Sequence, residues 1–492
     1  MKKWGFWVEN STLAATVRQE SAQAHRVDAI QASGAAGTAA IRQPERSWPA
    51  MREAGLEQRA GLYVPVKYKL ALALTLAVLW CAVSWHLARP WTDELAGHIG
   101  YPLALVIVIG IAVLPGYANA FIFFSLAFDR RPGSKPVAAF PPISLLIAAY
   151  NEEQSIASTI DSIVGQHYPG ELEIIVIDDG STDATAQIVG GLRVPHLRLV
   201  RLPRNGGKAR ALNRGLEAAR HELIVSIDAD TFLCRGALEA IVARYLSDPA
   251  GTVAVAGAVH VRNSRENWLT RIQEWDFFHG IAVVKRTQSL YQGTLVAQGA
   301  FSLYRKRAVL EVGGWPDTVG EDIVLSWALL KRGYRIGYAE NGVVFTNVPT
   351  SYKQFFRQRQ RWARGLIEAF KHHPGVLLQP RLNLPFFYLN LIFPLLDLFF
   401  LLVFVPGVIV AFFGRYYIAG PMTLAVLPLA VLNNLLMYQV QRSMFQSKSL
   451  RVRRNRLGFL FYMLFYQLLM TPACVAGYAV EVANRRKNWG TK

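Results

Sequence analysis

The sequence has little cysteine and little charge for its length. Three cysteines occur among 492 residues, at the widely separated positions Cys81, Cys234 and Cys474. A disulfide scaffold is therefore excluded, because such scaffolds bring many cysteines together in a short chain. Charged residues make up 18% of the chain and hydrophobic residues 52%, which excludes disorder over its whole length. The sequence has no G-x-x-x-x-G-K-[ST] motif, so a P-loop nucleotide site is not expected.

Acidic residues are the scarcer charge. The chain has 53 Lys and Arg residues against 34 Asp and Glu residues, which gives a formal charge of +19. A basic excess of this size is typical of proteins that bind nucleic acid or lie against a membrane. No helix-turn-helix, RNA-recognition or zinc-finger spacing occurs, so no nucleic-acid partner is expected and the lipid bilayer is the predicted partner.

Long apolar stretches support a membrane protein. Five stretches have roughly the 20 residues that a helix needs to cross the hydrocarbon core of a bilayer. Two of them precede a long mixed segment in the middle of the chain, and about three follow it. These stretches are Leu70–Leu87, Pro102–Ala127, Pro385–Phe413, Pro421–Val440 and Leu457–Val480.

Basic residues beside these stretches predict the orientation. Lys67 and Lys69 precede the first stretch, and residues 441–456 contain six basic residues. Because Lys and Arg concentrate on the cytoplasmic side, the N-terminal tail, the middle segment and residues 441–456 are predicted to be cytoplasmic. The basic residues 485–487 also look cytoplasmic, although a single crossing by Leu457–Val480 would leave them outside. Either that stretch re-enters the membrane, or the C-terminal charges lie outside.

The middle segment has the pattern of an α/β domain. Short apolar runs at Ile143–Ala148, Glu173–Ile177, Leu197–Leu202 and Glu222–Ile227 alternate with helical segments. Continuous apolar strands that alternate with helices predict a parallel sheet covered on both faces. Ligands of such sheets bind beyond the carboxyl ends of the strands, so the residues just after each strand are the candidates for a site.

Polar residues follow all four predicted strands. Any one of them is also explained as a helix cap, since Ser, Thr, Asp and Asn are favoured there. Four clusters at four successive strand ends favour a shared site over four separate caps. In chain order they are Tyr150 and Glu152, then Asp179, then Lys208 after two glycines, then Asp228 and Asp230.

These residue types suit a nucleoside diphosphate. Asp228 and Asp230, spaced by one residue, can hold a hard divalent cation (Mg²⁺ or Mn²⁺) that bridges to phosphate oxygens. Lys208 can place a positive charge on the diphosphate, and the glycines before it let backbone N–H groups approach. Asp179 can accept a hydrogen bond from a uracil imide or a ribose hydroxyl.

Two motifs farther along suggest catalysis and acceptor binding. Gly320-Glu321-Asp322 either caps a helix predicted to begin near Val324 or supplies a general base that removes a proton from an acceptor hydroxyl. The later Q-R-Q-R-W run lies on a basic amphipathic helix, which alone would also suit a membrane surface. Its residues Gln358, Arg361 and Trp362 are spaced i, i+3 and i+4 and therefore share one face.

Together these motifs resemble the family 2 processive glycosyltransferases, which include cellulose, chitin, hyaluronan and poly-N-acetylglucosamine synthases. The resemblance covers about Pro141 to Phe370 and rests on Y-N-E, D-D-G-S-T-D, G-G-K-A, D-A-D, G-E-D and Q-R-Q-R-W. One departure is Gly320, where the family commonly has the threonine of T-E-D.

The resemblance implies a role for each candidate residue. It places Asp179 on the uracil, Lys208 on the UDP, and Asp322 as the catalytic base beside Glu321. It makes Asp228 and Asp230 a D-x-D motif with Asp230 on the metal. Tyr150 and Glu152 are further substrate contacts, and Gln358, Arg361 and Trp362 would bind the donor diphosphate and the acceptor sugar.

The fold class that follows is α/β, a GT-A-type (Rossmann-like) cytoplasmic domain inserted between transmembrane helices, with amphipathic interface helices. The expected domains are a disordered cytoplasmic tail (1–66), two transmembrane helices (67–128), the GT-A domain (129–350), an interface helix with the QxxRW motif (351–383) and C-terminal transmembrane helices that form a polymer channel (384–492). Among the polar residues of the last stretches, Asp397 is the better channel candidate, while helix–helix hydrogen bonding explains amides such as Gln467.

The function implied is an inverting, processive, metal-dependent hexosyltransferase of the bacterial inner membrane. It would polymerise a UDP-sugar, with UDP-N-acetylglucosamine favoured over UDP-glucose, onto a growing β-linked polysaccharide acceptor. The product would leave through the protein's own channel as an exopolysaccharide of a biofilm, and a small membrane accessory subunit could supply regulation. The alternatives are a non-processive transferase that acts on a polyprenyl phosphate or lipid, and a non-enzymatic transporter or receptor.

Overall fold

The structure is a computed structural model that describes residues 64–129, 134–420, 426–446, 450, 452 and 454–484. The predicted disordered tail lies outside these residues except for its last three positions, and so do the basic residues 485–487. Both predictions therefore remain untested.

The described chain consists of helices around one sheet. Its strands are β1 (Ile143–Ala149), β2 (Leu172–Asp178), β3 (Leu197–Arg201), β4 (Leu223–Asp228), β5 (Phe232–Leu233), β6 (Thr252–Val261), β7 (Phe301–Arg305) and β8 (Arg335–Thr346). Its α-helices are α1 (Val66–Ile99), α2 (Tyr101–Val108), α3 (Leu114–Ala127), α4 (Ile156–Val164), α5 (Thr185–Gly191), α6 (Lys208–Ala218), α7 (Ala237–Ser247), α8 (Trp268–Phe277), α9 (Lys285–Leu290), α10 (Lys306–Glu311), α11 (Glu321–Lys331), α12 (Tyr352–His372), α13 (Leu384–Phe399), α14 (Val405–Phe412), α15 (Val426–Gln446) and α16 (Arg456–Val482). Wider π-helical turns at Ile109–Val113, Phe278–Val284 and Phe400–Phe404 and a 3₁₀ turn at Pro374–Leu378 join some of them.

The sheet confirms the predicted α/β class. Its strand order is β3-β2-β1-β4-β7-β6-β8-β5, and β1 to β4 are parallel. Successive side chains of a strand point to opposite faces, and here both faces are buried. On β1, Leu145 and Ile147 pack with Ile160 of α4, whereas Leu146 packs with Leu212 of α6. Helices on both faces explain why these strands are continuously apolar.

The other half of the sheet was not predicted from the sequence. Strand β7 pairs antiparallel with both β4 and β6, and β6 pairs in parallel with β8. This half brings the loop before β7 and the end of β8 to the edge where β1, β2 and β4 end.

Four helical segments in the described chain are long and apolar enough to cross a membrane. They are Val66–Ile99, Tyr101–Ala127, Leu384–Phe412 and Arg456–Val482, two before the sheet and two after it. They confirm four of the five predicted stretches as candidate membrane helices. The remaining stretch, Pro421–Val440, begins outside the described residues, and the helix Val426–Gln446, which overlaps it, is not one of the four candidates.

The last apolar helix, α16, lies against the α/β domain. Near its first residue, the amide of Asn455 donates to Glu274 Oε2 on α8 at 2.7 Å. Near its last residue, Glu481 pairs with Arg364 of α12 at 3.2 Å, and both side chains are buried. Both ends of this helix therefore contact the α/β domain, and whether the helix crosses or re-enters the membrane remains a prediction.

Asp397 on α13 is hydrogen-bonded to α16. Its carboxylate accepts from the Tyr478 hydroxyl at 2.9 Å and from the Gln467 amide at 3.2 Å. Buried polar groups between apolar helices are stable when they satisfy one another in this way. Helix–helix bonding therefore accounts for Gln467, and Asp397 as a channel residue remains a prediction.

Candidate active site

The predicted site residues lie at one edge of the sheet because three parallel strands end there in register. Ala149 at the end of β1 is paired with Asp178 at the end of β2, and Ala148 is paired with Asp228 at the end of β4. The residues after these strands therefore begin at neighbouring points, as predicted for a parallel sheet.

Asp179 shapes the glycine loop before Lys208. Its two carboxylate oxygens accept from the backbone N–H groups of Gly206 and Gly207, at 2.9 and 2.8 Å. Gly207 has φ of +89°, a left-handed conformation that favours glycine. Burial raises the pKa of Asp179, and the two backbone hydrogen bonds oppose this shift. Contact with uracil remains a prediction, but the structure adds a loop-organising role for this side chain.

Lys208 joins two motifs that are far apart in sequence. It is the first residue of α6, its side chain is 12% exposed, and it makes ion pairs with Asp228 and, at 3.5 Å, with Glu321. Burial alone would lower the pKa of Lys208, but the two carboxylates outweigh it and raise that pKa. The predicted diphosphate lysine therefore brings the D-A-D and G-E-D motifs together.

Asp230 lies in a cluster with excess negative charge. The Thr346 hydroxyl at the end of β8 donates to its carboxylate at 3.1 Å. Burial and, after it, the charges of Asp228 and Glu152 together raise the pKa of Asp230 to about 7. A divalent cation would offset this charge, so the residues fit Mg²⁺ or Mn²⁺.

A donor diphosphate and water would have to complete the coordination of such an ion. Within the described ranges, no group of three or more His, Cys, Asp or Glu side chains is arranged to hold a metal by itself. Mg²⁺ characteristically uses one or two carboxylates, substrate phosphates and water. The site therefore has the number of carboxylates expected for a metal shared with its substrate.

The loop after β1 contributes Tyr150 and Glu152. Glu152 accepts from the Ser155 hydroxyl at 2.7 Å, and its charge acts on Asp230. Tyr150 is 37% exposed. Both predicted substrate contacts thus belong to this edge of the sheet, although their ligands remain predictions.

The G-E-D motif forms the first turn of α11. The helix begins at Glu321, so the predicted start near Val324 is wrong by three residues. Negative side chains favour the first turn because they interact with the helix dipole. Asp322 accepts from the backbone N–H of Ile323 at 2.8 Å and of Gly299 at 3.2 Å. Burial raises the pKa of Glu321 to about 7 against the opposing charge of Lys208.

Gly320 lies so close to the backbone of α12 that a side chain would not fit there. A Cβ at Gly320 would lie 2.5 Å from the Cα of Gly365, and the Gly320 N–H donates to Glu368 Oε2 at 2.9 Å. Gly365 and Glu368 were not predicted from the sequence. The available signal was a glycine inside a helix, which costs about 1 kcal/mol relative to alanine and often marks close backbone approach.

The Q-R-Q-R-W run lies on α12, as predicted. Arg361 is near enough to Glu321 that its positive charge opposes the rise in the pKa of Glu321 that burial causes. Trp362 is 47% exposed, and the Arg359 guanidinium lies 4.1 Å from its ring centroid. Arg359 itself is buried and pairs with Asp276 at 2.8 Å. Gln358 is half-buried on the same helix.

The Arg359 guanidinium holds the exposed ring of Trp362 from one side, which favours a role for this ring in acceptor binding. The acceptor role predicted from the sequence implies that replacing Trp362 by alanine lowers polymer elongation about tenfold through lost ring contact, with a smaller effect on hydrolysis of the sugar donor. Elongation and hydrolysis are measured together on one preparation. Trp268→Ala is the control, because that side chain is also exposed, at 55%, and begins α8. Equal loss of both activities in Trp362→Ala would contradict an acceptor role.

Comparisons with known proteins bear on the family and the fold. The sequence model described as "Glycosyl transferase family 2" matches residues 144–313. A poly-beta-1,6-N-acetyl-D-glucosamine synthase of Staphylococcus aureus is 33% identical over 267 residues, which is 54% of this chain and 63% of that protein. The synthase of Staphylococcus epidermidis is 36% identical over 225 residues, which is 45% of this chain and 54% of that protein. The matches thus span less than two thirds of these relatives' length.

A solved structure supports the fold. A mannosyltransferase from Pyrobaculum calidifontis, determined in complex with GDP-Man and Mn²⁺, aligns with a TM-score of 0.54 and 22% identity. The alignment covers 78% of this chain and 98% of that one. At this identity the likeness concerns the GT-A-type fold alone.

Proposed function

We propose that this chain, whose residues 144–313 match the model of glycosyl transferase family 2, polymerises UDP-N-acetylglucosamine into a β-linked polysaccharide. One observation carries the proposal: Lys208 contacts both Asp228 and Glu321, so the predicted cation-binding motif, diphosphate lysine and catalytic motif lie in one cluster. The similar staphylococcal proteins are named as N-acetylglucosamine polymer synthases, which favours this donor over UDP-glucose.

The proposed reaction is a single displacement with inversion. Asp322 takes the proton of the acceptor hydroxyl, whose oxygen then forms a bond to the anomeric carbon. The bond from that carbon to the UDP oxygen breaks, and UDP leaves with the electron pair. Lys208 and Arg361 would stabilise the negative charge on the leaving diphosphate. Asp228 and Asp230 would hold a Mg²⁺ or Mn²⁺ ion, which supplies further positive charge there.

The product is proposed to cross the bacterial inner membrane as an exopolysaccharide, with the catalytic domain in the cytoplasm. The candidate membrane helices on both sides of the sheet support this arrangement. On α13, Asp397 provides an ionisable group within an otherwise apolar segment. The proposed export through these helices and the proposed role in biofilm both require the proposed polymerase activity.

The decisive experiment incubates purified full-length protein in lipid nanodiscs with radiolabelled UDP-N-acetylglucosamine or UDP-glucose. Mg²⁺ or Mn²⁺ is added, and a chelator serves as the control. We expect metal-dependent, high-mass product from UDP-N-acetylglucosamine. A lipid-linked monosaccharide as the sole product would instead identify a non-processive transferase. UDP binding without turnover of either donor would favour a transporter or receptor.

A further inference from the structure

A cavity of about 230 Å³ lies beside the start of the third candidate membrane segment, away from the carboxylate cluster. Strand β8 begins in its wall, and α13 begins at its edge. The mechanism above uses none of the residues around it. The cavity is lined by Gln292, Gly333, Arg335, Pro380, Arg381 and Asn383.

Two arginines give the cavity a positive charge. The Arg381 guanidinium donates to the backbone carbonyls of Tyr334, at 2.9 Å, and Leu330, so backbone rather than a carboxylate holds it. Burial and the nearby charge of Arg335 both lower the pKa of Arg381. Across the described part of the chain, no salt bridge within 4.0 Å involves either arginine. An anion in the cavity would offset two like charges held close together.

The two arginines lie next to the start of a candidate membrane segment. Arg381 precedes the candidate membrane segment Leu384–Phe412 by three residues, and phospholipid headgroups surround the ends of membrane helices. Leu378, just before the cavity residue Pro380, is 85% exposed. An exposed leucine next to an arginine pair is typical of the boundary between headgroups and acyl chains.

Specific hydrogen bonds and close backbone contacts hold the cavity wall in place. Asn383 is buried, and its amide donates to the backbone carbonyl of Gly293 at 3.0 Å. Gly293 in turn has φ of +137°, and a Cβ there would lie 2.8 Å from the carbonyl oxygen of Ile336. These contacts hold the loop after α9 against the start of β8, next to Arg335.

We propose that this cavity binds the phosphate group of an anionic phospholipid, with Arg335 and Arg381 as its ligands. The planar guanidinium fork matches the oxygens of a phosphate, and charge-assisted bonds of this type are stronger than neutral ones. The proposal concerns a second site and does not depend on which sugar the enzyme uses.

The test measures phospholipid retained by the full-length protein. Wild-type protein is released from nanodiscs that contain phosphatidylcholine and phosphatidylglycerol. Native mass spectrometry then counts the phospholipid molecules that remain bound to it. We expect Arg335→Gln to bind phosphatidylglycerol about tenfold more weakly than wild type. Arg332→Gln is the matched control, since Arg332 is exposed at the end of α11 and does not line the cavity. Arg335 is the better target because Arg381 also holds two backbone carbonyls.

Two further arms complete the design. UDP-sugar turnover by Arg335→Gln, within twofold of wild type in phosphatidylcholine alone, would establish that the variant is folded. Equal retention of phosphatidylglycerol by Arg335→Gln and Arg332→Gln would overturn the proposal. Binding of inorganic phosphate that requires Arg335, without retention of phosphatidylglycerol, would overturn the assignment to a lipid.

Discussion

Asp322→Asn is expected to reduce sugar transfer by about 10²- to 10⁴-fold while UDP binding stays near the wild-type level. The amide cannot take a proton from the acceptor hydroxyl. It keeps nearly the same shape, and its carbonyl oxygen can still accept from the Gly299 or Ile323 N–H. Single-turnover transfer measures the first effect, and calorimetry with UDP measures the second.

Glu321→Gln is the matched comparison. Glu321 is buried, and its carboxylate lies 3.5 Å from the Lys208 ammonium group. Removing its negative charge therefore leaves more net positive charge at Lys208, the predicted diphosphate lysine. We expect this variant to alter the affinity for UDP more than the rate of the chemical step. Normal polymer from Asp322→Asn would refute its assignment as the base. Loss of the chemical step in Glu321→Gln alone would transfer that role to Glu321.

The parallel half of the sheet was predictable because its signal is local. Runs such as Ile143–Ala148 are apolar at every position, which happens when helices cover both faces of a strand. Once the strands are identified, parallel pairing brings their carboxyl ends together, so the positions of Asp179 and Asp228 follow without further information. The strand register at these two ends agrees with that prediction.

The contacts that hold these carboxylates were not predictable from the sequence. Gly299 lies in the loop before β7 and reaches Asp322 only because β7 pairs antiparallel with β4. Thr346 reaches Asp230 from the end of β8, 116 positions away. Such partners depend on long-range strand pairing, and their own sequence neighbourhoods have no pattern that points to the site.

Membrane topology was predictable only in part for a related reason. Length and composition identify helices such as Arg456–Val482, but they do not reveal what a helix packs against. The ion pair of Glu481 with Arg364 and the hydrogen bond of Asn455 to Glu274 lie at opposite ends of this helix. A count of apolar stretches contains no information about such contacts with the α/β domain.

The glycine at position 320 leads to the second large effect. Gly320→Thr would restore the residue that the family commonly has, yet we expect it to reduce turnover about 10²-fold and to destabilise the protein. The new Cβ would meet the Cα of Gly365 at 2.5 Å, and backbone atoms of a packed helix cannot rotate away as a side chain could. Overpacking of this kind costs about 1–3 kcal/mol. A shift of about 1 Å in Asp322 would account for the lost rate.

Thermal unfolding and single-turnover transfer measure the two effects of Gly320→Thr. Gly190→Thr is the control, because Gly190 lies on helix α5 and has nothing within 4 Å of its Cβ position. This variant should retain wild-type turnover. Gly320→Ala adds the clashing Cβ without the hydroxyl and methyl groups of threonine. Most of the loss in turnover and stability should therefore already appear in this variant. Wild-type turnover and stability in both Gly320 variants would mean that the turn and α12 move apart at little cost. In that case, the Gly320–Gly365 contact does not position the catalytic carboxylate.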